Sequence, residues 1–345
     1  MTDLLGQRVR PRQLLRITAV TGISLALGGG LVQALVRAGD LHRIRETRTQ
    51  LGTLVTISVV HPDPALARQM VADAFAEMER LEGLLSRHRT GTPISRLNHD
   101  GVVRGVPAEV VHIVRRALQY SVQTVGAFDI TVTPLLELYS ASFARTGAPP
   151  SGSQVQEALS RVGYHNILVD DYSIAFKQRG VSITLDGIGK GYIVDRAVGV
   201  LKEHGADQVL VDAGGDMGSV RDGSQGEGWR VAIEDPRAAG KALETLQLAG
   251  ASVATSGDYL QCFTADKLFH HILDPRTGRS PEHTSAVTIV APTAMEADAL
   301  STATMVLGPQ DGLRLLARLD DVEGVMVTKE QEILRSRGMS RYTVG

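Results

Sequence analysis

Three groups of residues in this chain have the types and spacing that chemistry needs. The first is the stretch Ile183-Thr-Leu-Asp-Gly-Ile-Gly-Lys-Gly-Tyr-Ile-Val-Asp195, where an apolar approach meets Gly187, Gly189 and Gly191 and then turns helical in pattern. Bare glycine backbone can turn tightly and come close to a ligand, and the amides at a helix start favour an anion, to which Lys190 adds a full charge. Neither G-x-G-x-x-G nor G-x-x-x-x-G-K-[ST] fits the stretch, so a phosphate site and a glycine-rich turn beside a solvated lysine both stay open. The second group is Lys267-Leu-Phe-His-His-Ile-Leu-Asp-Pro-Arg-Thr-Gly278, which reads as a strand over residues 268–273 ahead of an Asp-Pro turn. Successive strand side chains point to opposite faces, so one of His270 and His271 can face a site while the other is structural. The third is Asp298 and Thr302, at i and i+4 of a helical pattern over residues 293–307, hence on one face. A carboxylate and a hydroxyl so placed can hold a hard cation such as Mg2+, which takes oxygen ligands and keeps positions for phosphate and water. Thr302 can equally return its hydroxyl to the carbonyl of Asp298.

The elements that must position these groups follow from periodicity. Residues 46–60 alternate toward a strand. Asp63-Pro64 then opens a helix, aspartate as cap and proline in the first turn, with Leu66, Met70, Val71, Met78, Leu81 and Leu85 on a stripe that packs against a sheet. Residues 86–101 are polar and turn-rich, and residues 107–122 form a second amphipathic helix. It ends before Gly126-Ala-Phe-Asp-Ile-Thr-Val-Thr-Pro-Leu135, where Phe128 and Asp129 could pack under a ring and hydrogen-bond to it, or serve as core and cap. Ser153 with Gln156 makes a capping box after the loop at 147–153. Strand-like runs follow at 166–170, 173–177 and 181–186, the last delivering the glycines. A helix then runs from Lys190 to Gly205, and a buried strand at 208–212 enters Ala213-Gly-Gly-Asp216. Further strands read at 229–235 and 243–248, before the small-residue turn Ser252-Val-Ala-Thr-Ser-Gly-Asp258. Strands alternate with helices, but hairpin-like neighbours dominate, which predicts an α+β fold with mixed or largely antiparallel sheets and packed helices.

Composition narrows the classes. A chain of 345 residues that is 43% hydrophobic can bury a large core. A net charge of −2 implies no polyanion partner, and 4% aromatics supply few stacking platforms, so nucleic-acid binding is disfavoured. Cys262 is the sole cysteine, which excludes an intrachain disulfide and an all-cysteine metal site. At the amino terminus Arg8, Arg10, Arg12 and Arg16 precede an apolar run at 17–36, the order of an export signal. Arg10-Pro-Arg12-Gln-Leu-Leu-Arg is similar to a twin-arginine signal split by proline, and Val36-Arg-Ala38 offers a small-x-small cleavage site. Uncut, the run approaches the ~20 residues of a membrane helix; a buried N-terminal helix is the alternative. The expected division is therefore a signal or anchor over 1–40 and one catalytic domain over 41–345.

The accumulated motifs resemble the FAD:protein FMN transferases, the ApbE family, from about residue 50 to about residue 307. They are Leu51-Gly-Thr53, Ser95-Arg-Leu-Asn98, Gly126 to Leu135 as quoted, Asp186-Gly-Ile-Gly-Lys-Gly-Tyr192 with Asp195, Ala213-Gly-Gly-Asp216, Thr255-Ser-Gly-Asp258, His271-Ile-Leu-Asp-Pro-Arg-Thr-Gly278 and Ala297-Asp-Ala-Leu-Ser-Thr302. The resemblance implies an α+β, T-fold-related catalytic domain, export to the outer face of the membrane or the periplasm, and Mg2+-dependent cleavage of FAD. FMN would pass to a threonine or serine of a partner protein, expected to be an exported or membrane redox subunit, with AMP released. Carried over by position, Leu51, Ala127, Phe128, Asp129, Asp186, Lys190, Tyr192, Ser256, Gly257, Asp258 and Ile272 would hold FAD. The carbonyl of Gly189 with Asp298 and Thr302 would hold Mg2+, and His271 would be the base. Leu51 stands where the family usually has Met, His88 stands near the place of a common aromatic, and Gly189 replaces a frequent Ala. An FAD pyrophosphatase and a non-catalytic flavin-binding assembly factor are the rival classes.

Overall fold

The computed structural model describes residues 41–221 and 228–344, so the apolar run expected to be a signal or anchor lies outside the described residues. Among the described residues no helix is long and apolar enough to cross a membrane. The chain enters as a hairpin of β1 (His42–Gln50) and β2 (Thr53–His61), joined by Leu51 at φ 53° and Gly52 at φ 71°. Two left-handed residues make the turn that suits a tight hairpin. Leucine rarely adopts that conformation, which is why residues 46–60 read as one strand.

Helix α1 (Pro64–Leu85) starts as expected, with the Asp63 carboxylate accepting from the amides of Ala65 and Leu66. Its buried stripe includes Met70, Val71, Phe75, Met78, Leu81 and Leu85, while Leu66 is 43% exposed and lies off it. The polar stretch that follows holds a helix, α2 (Pro93–Asp100), capped by the Thr92 hydroxyl and closed by Gly101 at φ 75°. Next come β3 (Val102–Arg104), α3 (Ala108–Gln123), α4 (Thr133–Thr146) and α5 (Gly152–Leu159). The capping box of α5 is Ser151 with Gln154, two residues ahead of the expected pair. A small sheet in the order β3-β5-β4 is completed by β4 (Ile167–Val169) and β5 (Ser173–Phe176).

Residues 181–186 were expected to be a strand and join no sheet. Asn98 of α2 replaces the ladder: its Nδ2 donates to the Ile183 carbonyl at 2.8 Å and its Oδ1 accepts the Ile183 amide at 2.7 Å. The Thr184 amide donates to the Ile130 carbonyl at 2.8 Å. One carboxamide can satisfy both main-chain groups of a residue, as a neighbouring strand would. The Ser95-Arg-Leu-Asn98 motif thus holds the approach to the glycines in place.

The second half supplies α6 (Gly189–Glu203), β6 (Gln208–Ala213), β7 (Asp216–Arg221), β8 (Trp229–Glu234), β9 (Ala242–Leu248), β10 (Ser252–Gly257) and β11 (Thr284–Ala291). Then follow α7 (Ala294–Leu316), interrupted at Gly308 before Pro309, and β12 (Glu323–Thr328), β13 (Ile333–Arg335) and β14 (Thr343–Val344). Eight strands form one sheet in the order β1-β2-β6-β7-β10-β11-β12-β13, with antiparallel neighbours throughout. Alternation along these strands feeds two cores. Val209, Val211, Val287 and Ile289 face the layer of α1, α6 and α7, whereas Leu210, Val253, Val290 and Val325 face a second sheet, β14-β9-β8. All eight residues of β11 are buried, as its central place requires.

Candidate active site

The site forms where α6 and α7 begin. Ile188, at the N-cap of α6, offers no capping side chain, and the Gly191 amide instead donates to Asp298 Oδ2 at 3.1 Å. In return the Asp195 carboxylate accepts the first two amides of α7, Ala294 at 2.7 Å and Met295 at 2.9 Å. Each helix start is therefore capped by a carboxylate of the other. The contact needs bare backbone, because a Cβ on Gly191 would lie 2.5 Å from the Ala294 carbonyl carbon and 2.8 Å from Met295 Cα. Thr302 follows one turn after Asp298. Its hydroxyl does not back-bond to Asp298; Ser301 does so, at 2.9 Å, and Thr302 Oγ1 lies 3.2 Å from Ser256 Oγ. A Cβ on Gly187 would meet Thr302 Oγ1 at 3.2 Å and the Phe128 ring at 3.4 Å, which places the glycine turn over both side chains.

Charge around the turn is mostly acidic. Lys190 Nζ lies 3.2 Å from Asp216 Oδ2, so its charge is already paired and the solvated-lysine expectation does not hold. Burial acts to lower the Lys190 ammonium, but Asp216 and Asp298 outweigh it and hold the pKa above the ordinary lysine value. Burial pushes the Asp298 carboxyl well above the usual carboxylate range, and Asp216 adds to that rise. Asp186 is the opposite case: burial would raise it, but His88 and Arg87 hold it below the usual range, with Arg87 Nε 3.1 Å from Oδ2. A buried acid whose ionised form lacks a full counter-charge is a place for a cation. Among the described residues no three His, Cys, Asp or Glu side chains gather as a metal cluster. A cation here would rest on mixed oxygens: the Asp298 carboxylate, the Thr302 hydroxyl and the Gly189 carbonyl, a donor set that suits a hard ion.

His271 arrives on an irregular hairpin. Residues 268–273 are not a strand; a single bridge pairs Cys262 with His270, because the chain turns at 264–267 and bends again into the Asp274 turn. The two histidines still diverge: His270 is fully buried, its pKa lowered by burial to about 4, and His271 is half-buried. His271 Nδ1 lies 3.1 Å from the Gln261 carbonyl. A carbonyl only accepts, so Nδ1 carries the hydrogen and Nε2 keeps its lone pair. Burial lowers the His271 pKa, against the Gln261 hydrogen bond and the Asp186 charge, which act to raise it, while the Lys190 charge lowers it further. The Asp274 turn is closed by Asp274 itself, through the Arg276 amide at 2.8 Å, and has no need of His271. The hairpin is seated on α4 by rings: Phe143 stacks on Phe263 with centroids 5.1 Å apart, and Tyr139 and Phe269 close the group.

The other expected flavin residues fall into two sets. Ser256 shares the Thr302 and Ser301 hydroxyls, Gly257 follows it in β10, and Ala127, Phe128 and Ile272 are buried in the main core, with the Phe128 ring next to Gly187. Leu51 sits at the hairpin tip, its amide donating to Glu82 Oε2 at 3.3 Å. Asp129, Asp258 and Tyr192 are engaged elsewhere. Asp129 accepts from the Thr131 amide and hydroxyl and from the Tyr164 amide, as a buried cap. Asp258 is fully buried, with Arg237 on both oxygens and Lys329 on Oδ2. The Tyr192 ring packs near His112 of α3, centroids 5.9 Å apart, and does not join Asp298 or His271. Asp195 and Asn98 lay in quoted motifs without a role, because their partners are main-chain groups distant in sequence.

The chain is similar to known proteins over most of its length. The FAD:protein FMN transferase of Salmonella typhimurium is 30% identical over 329 residues, 92% of this chain and 93% of that protein. The crystal structure of the ApbE protein of Thermotoga maritima superposes with a TM-score of 0.80 at 30% identity, over 88% of this chain and all of that one. The apo flavinyl transferase ApbE of Pseudomonas stutzeri gives a TM-score of 0.75 at 28% identity, over 88% of this chain and 98% of that one. The description "ApbE family" matches residues 51–326, which span the glycine turn, the His271 hairpin and both ends of the α6–α7 junction, and the chain belongs to that family.

Proposed function

We propose that this protein is a Mg2+-dependent FAD:protein FMN transferase working outside the cytoplasm. The observation that carries the chemistry is His271, whose Nδ1 is committed to the Gln261 carbonyl so that Nε2 keeps a lone pair able to take a proton. An acceptor threonine or serine hydroxyl gives its proton to Nε2 as its oxygen bonds to the phosphorus of the FMN half. The bond between that phosphorus and the bridging oxygen breaks, and AMP leaves with the electron pair. No nucleophile of the enzyme is needed. Asp298, Thr302 and the Gly189 carbonyl would hold Mg2+, which when bound neutralises the diphosphate charge. The relatives' name, FAD:protein FMN transferase, supports a protein as the acceptor.

Incubation with FAD, Mg2+ and an exported redox subunit should yield a flavin phosphoester detected by mass spectrometry, with AMP in equal amount. Free FMN with AMP in place of the phosphoester would make the protein a pyrophosphatase, and FAD bound but uncleaved would make it an assembly factor. Export is supported by the arginine-flanked run at 17–36. A reporter fused after Arg45 should appear outside the cytoplasm, and one retained inside would remove that part of the proposal.

A further inference from the structure

The reciprocal caps at the α6–α7 junction assign work to a residue that touches none of the groups named above for flavin, metal or proton. Gly191 and Asp195 stand at i and i+4 and so share one face of α6. Gly191 lets the α7 backbone come into contact, and Asp195 ties it there through two amides at 2.7 and 2.9 Å. The remaining first-turn bonds are local, from the Glu296 amide to Thr293 Oγ1 at 3.2 Å and from the Ala297 amide to the Thr293 carbonyl at 3.1 Å. Asp298 lies on the next turn and is itself bound to the Gly191 amide. The two carboxylates close a loop of contacts: α6 holds α7 through Asp195, and α7 holds the glycine turn through Asp298.

We infer that Asp195 is the positioning residue of the transfer site, fixing the first turn of α7 on α6 so that Asp298 and Thr302 stand at a set distance from the glycine turn. Both carboxylate oxygens are needed, since each accepts a different amide. An amide in its place would keep one acceptor and turn an NH2 group toward the second N–H, and a methyl would keep neither. A graded loss, Asp then Asn then Ala, is the signature of that geometry. The rate part of the inference rests on the transfer reading, whereas its metal-binding part does not.

The test uses the whole chain and the variants Asp195→Asn and Asp195→Ala. Mn2+, a paramagnetic stand-in for Mg2+, is titrated and followed by electron paramagnetic resonance; FAD affinity without metal is read by flavin fluorescence; kcat and KM for FAD are measured at saturating Mg2+. Asp195→Asn should weaken Mn2+ binding and lower kcat by about tenfold, and Asp195→Ala by about a hundredfold, the range seen when the support behind a metal ligand is removed. Metal-free FAD affinity and KM for FAD should stay within about twofold, because the flavin has its own contacts. A variant with a lower melting temperature but parental Mn2+ affinity and kcat would reduce Asp195 to a helix cap. Loss of FAD affinity in step with kcat would place it in flavin binding and also overturn the inference. Should Asp195→Ala fail to fold, the isosteric Asn variant decides. A parent protein that transfers no FMN would sink the transfer reading, while the Mn2+ titration would still decide the role of Asp195.

Discussion

Gly191→Ala is the substitution whose effect can be worked out most directly. The added Cβ would sit 2.5 Å from the Ala294 carbonyl carbon and 2.8 Å from Met295 Cα, and closer still to the Ala294 oxygen. Carbon atoms in ordinary contact keep about 3.5 Å apart, so the first turn of α7 must retreat by roughly 1 Å. All three obstructing atoms are main chain, and no rotamer change relieves them. Overpacking of this kind costs about 1–3 kcal/mol, and the better helix propensity of alanine offsets about 1 kcal/mol of it. The melting temperature should therefore fall only modestly. Asp298 and Thr302 move with α7, however, and a 1 Å misplacement of positioned groups costs about a hundredfold in rate. Gly199, farther along the same helix, is the control, since a Cβ there meets nothing within 4 Å. Gly199→Ala should gain about 0.5–1 kcal/mol and leave transfer unchanged. Thermal melts and single-turnover FMN transfer on both variants provide the comparison. A Gly191→Ala protein with parental rate, or a Gly199→Ala protein equally slowed, would refute the claim that bare backbone at 191 sets the site.

His271→Ala should keep FAD binding and lose transfer by roughly two to four orders of magnitude, the usual worth of a positioned base. Burial holds the His271 pKa below 6.5, so the ring is neutral at pH 7 and the parent rate should fall only as pH drops through that lowered value. The variant should lack this acid limb; an unchanged limb or a near-parental rate would end the base assignment. His270→Ala, at a fully buried ring, should lower stability more than rate. Asp258→Ala strands Arg237 and Lys329 and should cost about 3–5 kcal/mol. Burial raises the Asp258 carboxyl, but Arg237 and Lys329 bring it below its ordinary value. Its contribution is therefore present above 3.8 and is lost as pH falls through the depressed folded-state pKa, and acid melts should show that component in the parent and not in the variant. A variant of parental stability with weakened flavin affinity would instead return Asp258 to the flavin.

The sequence made local features legible where the cause is local. The Asp63 cap, the buried stripe of α1, the glycine break before α6 and the shared face of Asp298 and Thr302 all rest on neighbours within a few residues. Features that depend on distant partners were misread. Residues 181–185 have strand composition but are held by a side chain at position 98, and the His271 segment is shaped by rings on α4. The Lys190 pairing is not legible in the sequence because Asp216 lies a helix and a strand away. Leu51 hid a hairpin turn, since only its backbone angle marks it.

Three of the six phenylalanines of the chain are spent on seating the hairpin that carries His271. Its main chain is tied mainly to itself, by Phe263 to Phe269 at 2.7 Å and His271 to Gln261 at 2.9 Å, whereas Asp298 belongs to a helix locked against its neighbour at both capped ends. Ring contacts of this kind contribute about 0.5–1.5 kcal/mol each, well below the free energy that opens a whole domain. If the proposed base and the proposed oxygen ligands open separately, amides of residues 261–271 should exchange with solvent at a lower free energy than those of the first turns of α7. A molecule caught in such an opening would still present the proposed cation donors with the proposed proton acceptor out of place, and loading and reaction would be separable in time.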